Sequence, residues 1–171
     1  ILNEVDTVIR IVSLGRSARN KANIKIRQPL EELAVYGQKD ILKIAQENQI
    51  EILEELNIKS LKLVENESEL VSFIVKPNFP LLGKKYGEDM SFITQFIQET
   101  DPKTFLGKIN SSKTIIVNGQ GENIEILPEE LIFEEVAEEG YSVSSSRDII
   151  AGVYTEISDK LKQEGMVRDL I

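Results

Sequence analysis

The residues of this chain best suited to chemistry are cations. Residues 15–30, GRSARNKANIKIRQPL, gather Arg16, Arg19, Lys21, Lys25 and Arg27 without one acid, in a sequence that holds 29 acidic and 20 basic residues and a formal net charge of -9. Guanidinium groups present planar forks that match phosphate oxygens, and each phosphate a protein neutralises releases condensed counterions. Such a run suits a nucleic-acid backbone. The same residues allow a second reading, in which Arg16 and Arg19 pair with carboxylates of a neighbouring domain while Lys21 and Lys25 are solvated. A smaller basic element, PNFPLLGKKYG at 77–87, sets Lys84 and Lys85 before Tyr86. There Phe79 and Tyr86 offer faces on which unpaired bases stack. The alternative buries Phe79, Leu81 and Leu82 in the core and leaves the lysines over a turn.

Other chemistry is restricted by what is missing. The chain contains no cysteine and no histidine, which removes disulfides, thiolate metal sites, and the commonest general base and metal ligand. Catalysis within these residues would have to rest on carboxylates, lysines or hydroxyls. The stretch 122–139 carries Glu122, Glu125, Glu129, Glu130, Glu134, Glu135, Glu138 and Glu139 with no base. Paired carboxylates can hold a metal or exchange protons, but in strands and turns such a run is a solvated face, and it repels phosphate. Gly119 and Gly121 in NGQGEN do not form a phosphate cradle, because a helix would have to follow and ENIEIL has the pattern of a strand. No metal or cofactor is expected in the segment.

The elements that position these groups follow from periodicity. Ile1, Val5, Val8, Ile9 and Val12 form one stripe of a helix over 1–20; projected onward it meets Arg16 and Arg19, which places both on the core-facing side and Arg10 on the far side as surface charge. LEELAVYG reads as a strand, residues 40–56 as one or two helices, 58–64 as a strand, and ELVSFIVKP as another, with ENES suggesting a hairpin between the last two. Amphipathic helices follow around Met90–Ile97 and Phe105–Ile109. KTIIVNGQGENIEIL is a hairpin about residues 118–121; LIFEEVA, GYSVSSS and DIIAGVYT are strands; and a helix from about Glu156 carries Ile157, Leu161 and Leu170. Strands and helices interleave without a strict βα repeat, so the expected class is α+β, an N-terminal helix leading into a mixed or mostly antiparallel sheet packed with helices. At 171 residues and 41% hydrophobic content a sizeable core is expected. The first stripe starts without a cap or lead-in and the last helix lacks a terminator, as expected of a piece of a longer chain. No membrane span or leader pattern is present, and a cytoplasmic location is expected.

Three blocks also carry a resemblance. GRSARNKANIKIRQPL, VKPNFPLLGKKYG and EGMVRDLI resemble, in order and spacing, the C-terminal portion of isoleucyl-tRNA synthetases of the large eukaryote-like type also found in some bacteria. The resemblance implies that residues 1–24 end the anticodon-binding helical bundle and that 25–171 are a C-terminal α+β domain truncated at its late helix. The family's class I signatures, of the His-Ile-Gly-His and Lys-Met-Ser-Lys-Ser types, do not occur here, so this segment is expected to be non-catalytic, while the parent attaches isoleucine to its tRNA. ATP with magnesium, with zinc as a further candidate, is implied for that parent. The implied partners are the isoleucine-accepting tRNA and upstream domains of the same chain, with no membrane and no DNA. The tRNA contacts are expected from Arg16, Arg19, Lys21, Lys25, Arg27, Lys84, Lys85 and Tyr86. Two other readings stand beside this one: a structural brace between synthetase domains, and a free-standing module whose acidic face meets a basic partner.

Overall fold

Asn3 starts the first helix, its Oδ1 accepting from the Asp6 N–H at 3.3 Å while the Thr7 hydroxyl donates to the Asn3 carbonyl. This capped start lies where the sequence pattern showed no cap. Residues 3–111, 114–119 and 122–169 are described by a computed structural model. Helix α1 (Glu4–Lys21) buries Thr7, Val8, Ile11, Val12, Leu14, Gly15, Ala18 and Arg19. The stripe is therefore rotated from the expected one: Val5 and Ile9 are 64% and 56% exposed. Ile1 lies outside the described residues. Close approach to a second helix sets the rotation, since a Cβ on Gly15 would stand 2.5 Å from Leu56 Cδ1.

After α1 come β1 (Leu30–Tyr36), α2 (Lys39–Glu47), α3 (Gln49–Leu56) and β2 (Ile58–Val64). β1 and β2 pair in parallel, Leu30 opposite Ile58 and Tyr36 opposite Val64, with the two helices as the crossover. The expected hairpin from β2 to β3 (Val71–Pro77) is absent. β3 pairs instead with β6 (Leu131–Ala137), and ENES becomes a short 3-10 turn whose Asn66 side chain accepts from the Ser68 N–H. The remaining strands β7 (Tyr141–Ser146) and β8 (Ile149–Tyr154) complete a four-stranded sheet of order β2-β1-β8-β7, antiparallel at β1–β8 and β8–β7. The class is α+β with a mixed sheet, as the sequence pattern predicts. α7 (Asp159–Asp169) follows; Ile157 precedes this helix and Leu170 lies outside the described residues.

The chain divides into two compact units, residues 1–71 with 137–171, and residues 72–136. The core of the first gathers Ile11, Leu33, Val35, Ile52, Leu56, Ala151 and Val153 from α1, α3 and the sheet. Across β7 and β8, Tyr141 and Tyr154 pack edge-on at 5.5 Å, and the Tyr141 hydroxyl donates to Glu32 Oε1 at 2.5 Å. Burial, and then the Glu32 carboxylate, push the Tyr141 phenol above its ordinary value.

The second unit holds α4 (Phe79–Tyr86), α5 (Met90–Glu99), α6 (Pro102–Ser111) and the hairpin of β4 (Ile115–Gly119) with β5 (Glu122–Ile126). The tip of that hairpin, Gln120 and Gly121, lies outside the described residues. Leu82, Ile93, Ile97 and Phe105 pack there on Ile115, Val117, Ile124 and Ile126, with Phe96 edge-on to Phe105 at 6.1 Å. Residues 79–86 form a helix rather than a turn, with a proline in its first turn. Of its expected core residues only Leu82 is fully buried; Phe79 and Leu81 are 57% and 46% exposed, because a single short helix presents one narrow face inward. Among the described residues no helix is long and apolar enough to cross a membrane.

Two expectations follow. Gly15→Val should lower the unfolding midpoint in urea, since overpacking a site closed by a fully buried leucine costs about 1–3 kcal/mol. For Tyr141, a folded-state pKa above the unfolded one means that its contribution is whole below about pH 10 and is lost as pH rises from there through the folded value. Tyr141→Phe should therefore show a smaller fall in urea midpoint between about pH 8 and about pH 11 than the parent protein does.

Candidate nucleic-acid interface

The acid-free run occupies the end of α1 and the connection to β1. Asn23 adopts φ +56, and the helix closes in a Schellman arrangement in which the Ile24 N–H reaches the Arg19 carbonyl and the Asn23 N–H reaches the Asn20 carbonyl. A turn follows, the Gln28 N–H donating to the Lys25 carbonyl at 3.0 Å, and the Leu30 N–H meets the Asn57 carbonyl where β1 begins. Ile24 and Ile26 thus lie in the irregular connection between α1 and β1.

One side chain holds this irregular segment. Arg19 is 2% exposed, and its guanidinium donates to the Leu56 carbonyl at 3.1 Å and to the carbonyls of Lys25 and Gln28. Burial lowers its pKa to about 10, so it remains a full cation at neutral pH. Asn57, at φ +53, ends α3 and donates its side-chain amide to the Ile26 carbonyl at 2.9 Å. Gln28 in turn donates to the Leu161 carbonyl at 2.7 Å, and a Cβ on Gly165 would stand 2.3 Å from Gln28 Oε1. The ends of α1 and α3 and the face of α7 therefore meet around residues 24–29.

The basic side chains separate accordingly. Arg19, expected to contact phosphate, is enclosed and directs its donors at carbonyls. Arg16, expected to face the core, is half exposed and pairs with Glu55 at 2.7 Å within the same unit. Lys21 donates at 3.0 Å to the Val143 carbonyl, a neutral partner that does not cancel its charge. Lys25 and Arg27 are exposed. Arg10, read as plain surface charge, is ion-paired with Asp148 at 2.6 Å. Two open clefts flank the turn, one of about 320 Å³ beside Arg16, Asn20 and Ile26, the other of about 280 Å³ beside Lys25, Arg27, Gln28 and Met166. Ile26 and Met166 are 49% and 59% exposed. Cations here border apolar surface, a mixture that suits sugar and base as well as phosphate.

The second basic group lies in the other unit. Lys84 is exposed, whereas Lys85 pairs with the buried Glu130 at 3.2 Å and stands 5.0 Å from the centre of the Tyr86 ring. The Tyr86 hydroxyl donates to the Glu125 carbonyl at 2.8 Å. Glu130 also accepts from the Leu127 N–H at 2.8 Å, so this member of the acidic run is a structural group and not part of a solvated face.

Sequence reasoning missed Gln28, Asn57 and Gly165. A signal for Asn57 was present: Asn-Ile-Lys occurs at 23–25 and again at 57–59, each time within two residues of a helix end and with its asparagine at positive φ.

No protein-family model matches the chain. The chain is 36% identical to the isoleucine–tRNA ligase of Clostridium novyi over 98% of its own length and 16% of that protein. It is similar in the same proportions to that of Clostridium tetani, at 36% identity. To that of Thermus thermophilus it is 31% identical, over 100% of this chain and 16% of the relative. The chain thus spans 16% of the length of these curated relatives.

Arg19→Met should lower stability by about 1–3 kcal/mol, because the buried Leu56 carbonyl loses its donor, with a smaller loss at the half-buried carbonyls of Lys25 and Gln28. Arg19→Lys should recover only part of this, since a compact ammonium cannot reproduce the planar fork. Urea midpoints of the two variants check both statements.

Proposed function

We propose a function from the premise that the chain belongs to the isoleucine–tRNA ligase family, of whose members it spans 16%: it is a tRNA-binding portion of such a ligase and has no catalytic group of its own. In this reading the parent joins isoleucine to its tRNA, using ATP with magnesium in parts of the chain other than this one. The observation that carries the reading is the turn 22–28, an irregular segment fixed from inside by Arg19 and presenting Lys25 and Arg27 to solvent beside exposed Ile26 and Met166. Lys21, Lys25 and Arg27 grip the phosphate backbone, with Arg16 available where Glu55 is displaced, and Lys84, Lys85 and Tyr86 form a second and weaker group. Arg19 takes no part in contact; it holds the backbone that displays the others. The net charge of -9 limits what the segment does alone, so other parts of the ligase supply most of the affinity.

One specific observation favours a bracing role for part of the run. The Arg16–Glu55 pair and the Arg19 bonds to Leu56, Lys25 and Gln28 all tie α1 to α3 and to the turn. Bracing and binding then belong to different residues of one motif, and they separate experimentally.

In the full-length ligase, Lys25→Ala with Arg27→Ala should reduce the slope of log affinity for tRNA against log salt by about 0.7–0.9 for each phosphate that is no longer neutralised. The tRNA KM should rise with kcat unchanged, as expected when uniform binding is removed. A slope identical to that of the parent enzyme refutes the reading.

A further inference from the structure

The β7–β8 hairpin closes in two residues, Ser146 standing opposite Ile149, so that Arg147 and Asp148 are its whole loop. Arg147 has φ +48. Positions of that kind in two-residue hairpins belong to glycine and asparagine, and the other non-glycine residues with positive φ among the described residues are asparagines, Asn23 and Asn57. Both asparagines end helices, which explains them. Arg147 ends nothing. It is exposed, and among the described residues its side chain makes no ion pair or hydrogen bond.

The neighbouring charges cancel and leave that of Arg147. Arg10, from the second turn of α1, donates to Asp148 Oδ1 at 2.6 Å and lies 3.4 Å from the Ser146 carbonyl. Arg10, Ser146, Arg147 and Asp148 line an open cleft of about 720 Å³. From this tip α1 follows β7, the free edge of the sheet. The Ser144 hydroxyl donates to Ser17 Oγ at 3.0 Å, the Ser142 hydroxyl to the Ala18 carbonyl at 2.7 Å, and Lys21 Nζ to the Val143 carbonyl at 3.0 Å. These bonds seat α1 along β7, with the Ser144 side chain buried between them, and Lys21 stands at the far end, where the basic turn begins. The helix between Arg10 and Lys21 is roughly 17 Å long at 1.5 Å per residue.

We propose that the β7–β8 tip is a second phosphate-contact point, with Arg147 as its ligand, and that the α1–β7 edge is the track joining it to the basic turn. The occupant is a sugar-phosphate backbone of RNA, and the proposal rests on the tRNA-binding reading above. A strained arginine is retained at the tip because contact with a polyanion uses its fork, which neither glycine nor asparagine supplies.

The test uses the full-length ligase and an isoleucine-accepting tRNA transcript, titrated over a series of salt concentrations. Glycine suits φ +48 better than arginine, so Arg147→Gly should keep or raise the melting temperature, and weaker binding cannot be laid to misfolding. The expected result is a salt slope reduced by about 0.7–0.9, with Arg147→Lys retaining the parent slope. A parent-like slope for Arg147→Gly together with a reduced one for the Lys25 and Arg27 double variant overturns the tip contact and leaves the turn reading standing. A reduced slope for Arg147→Gly alone keeps the tip contact and removes the turn, and with it the track between them. Parent-like slopes in both discard the two together.

Discussion

Three backbone carbonyls, from Lys25, Gln28 and Leu56, converge on the buried guanidinium of Arg19, and the irregular turn after α1 has its shape because of that convergence. Segments without regular structure must dispose of their polar backbone groups somewhere, and here the almost wholly buried Arg19 side chain supplies the donors. An arginine solves the problem because one planar cation presents five donors, more than any neutral side chain, and keeps its charge even when burial lowers its pKa to about 10. The desolvation of that charge is costly, and multiple charge-assisted bonds offset it. Around this centre stand steric and amide contacts, Gly15 against Leu56, Gln28 against Gly165 and Asn57 on the Ile26 carbonyl, together with the Arg16–Glu55 ion pair.

Fixing the backbone from inside has an electrostatic consequence outside. With Arg19 turned inward and Asn23 reversing the chain, Lys25 and Arg27 have no place but the surface, and they appear there in an otherwise strongly acidic molecule. Acids elsewhere in the same unit neutralise particular bases, Glu55 on Arg16 and Asp148 on Arg10, while Lys21 donates to the neutral Val143 carbonyl. The field of the unit is thereby uneven, and clefts lined by one sign of charge focus it locally.

Much of the secondary structure was legible, for a plain reason. β1, β2, the β4–β5 hairpin, β6, β7 and β8 each carry β-branched or alternating runs between turn residues, and α2, α3 and α5 carry clean helical periods. The failures occurred where local pattern and long-range partner disagree. ENES looks like a hairpin loop between two strands, yet β2 finds a parallel partner in β1 and β3 finds β6, some sixty residues downstream. Residues 79–86 carry Pro80 and Gly83 and looked like a turn, but Asn78, its N–H held by the Glu130 carbonyl, opens a helix that buries Leu82. The stripe on α1 was placed a few residues off because Val5 and Ile9 are as apolar as Val8 and Val12, and only packing against the sheet and α3 distinguishes them.

For the candidate site the division is similar. The sequence by itself determined that basic residues crowd into positions 15–30, that no His- or Cys-based site lies in these residues, and that the class was α+β, since composition and periodicity are local properties of a chain. It did not determine which arginine faces water. Arg16, Arg19 and Arg10 are alike as text. Their fates follow from distances to Glu55, to the Leu56 carbonyl and to Asp148, partners 37 to 138 positions away along the chain that only the tertiary fold brings within bonding reach.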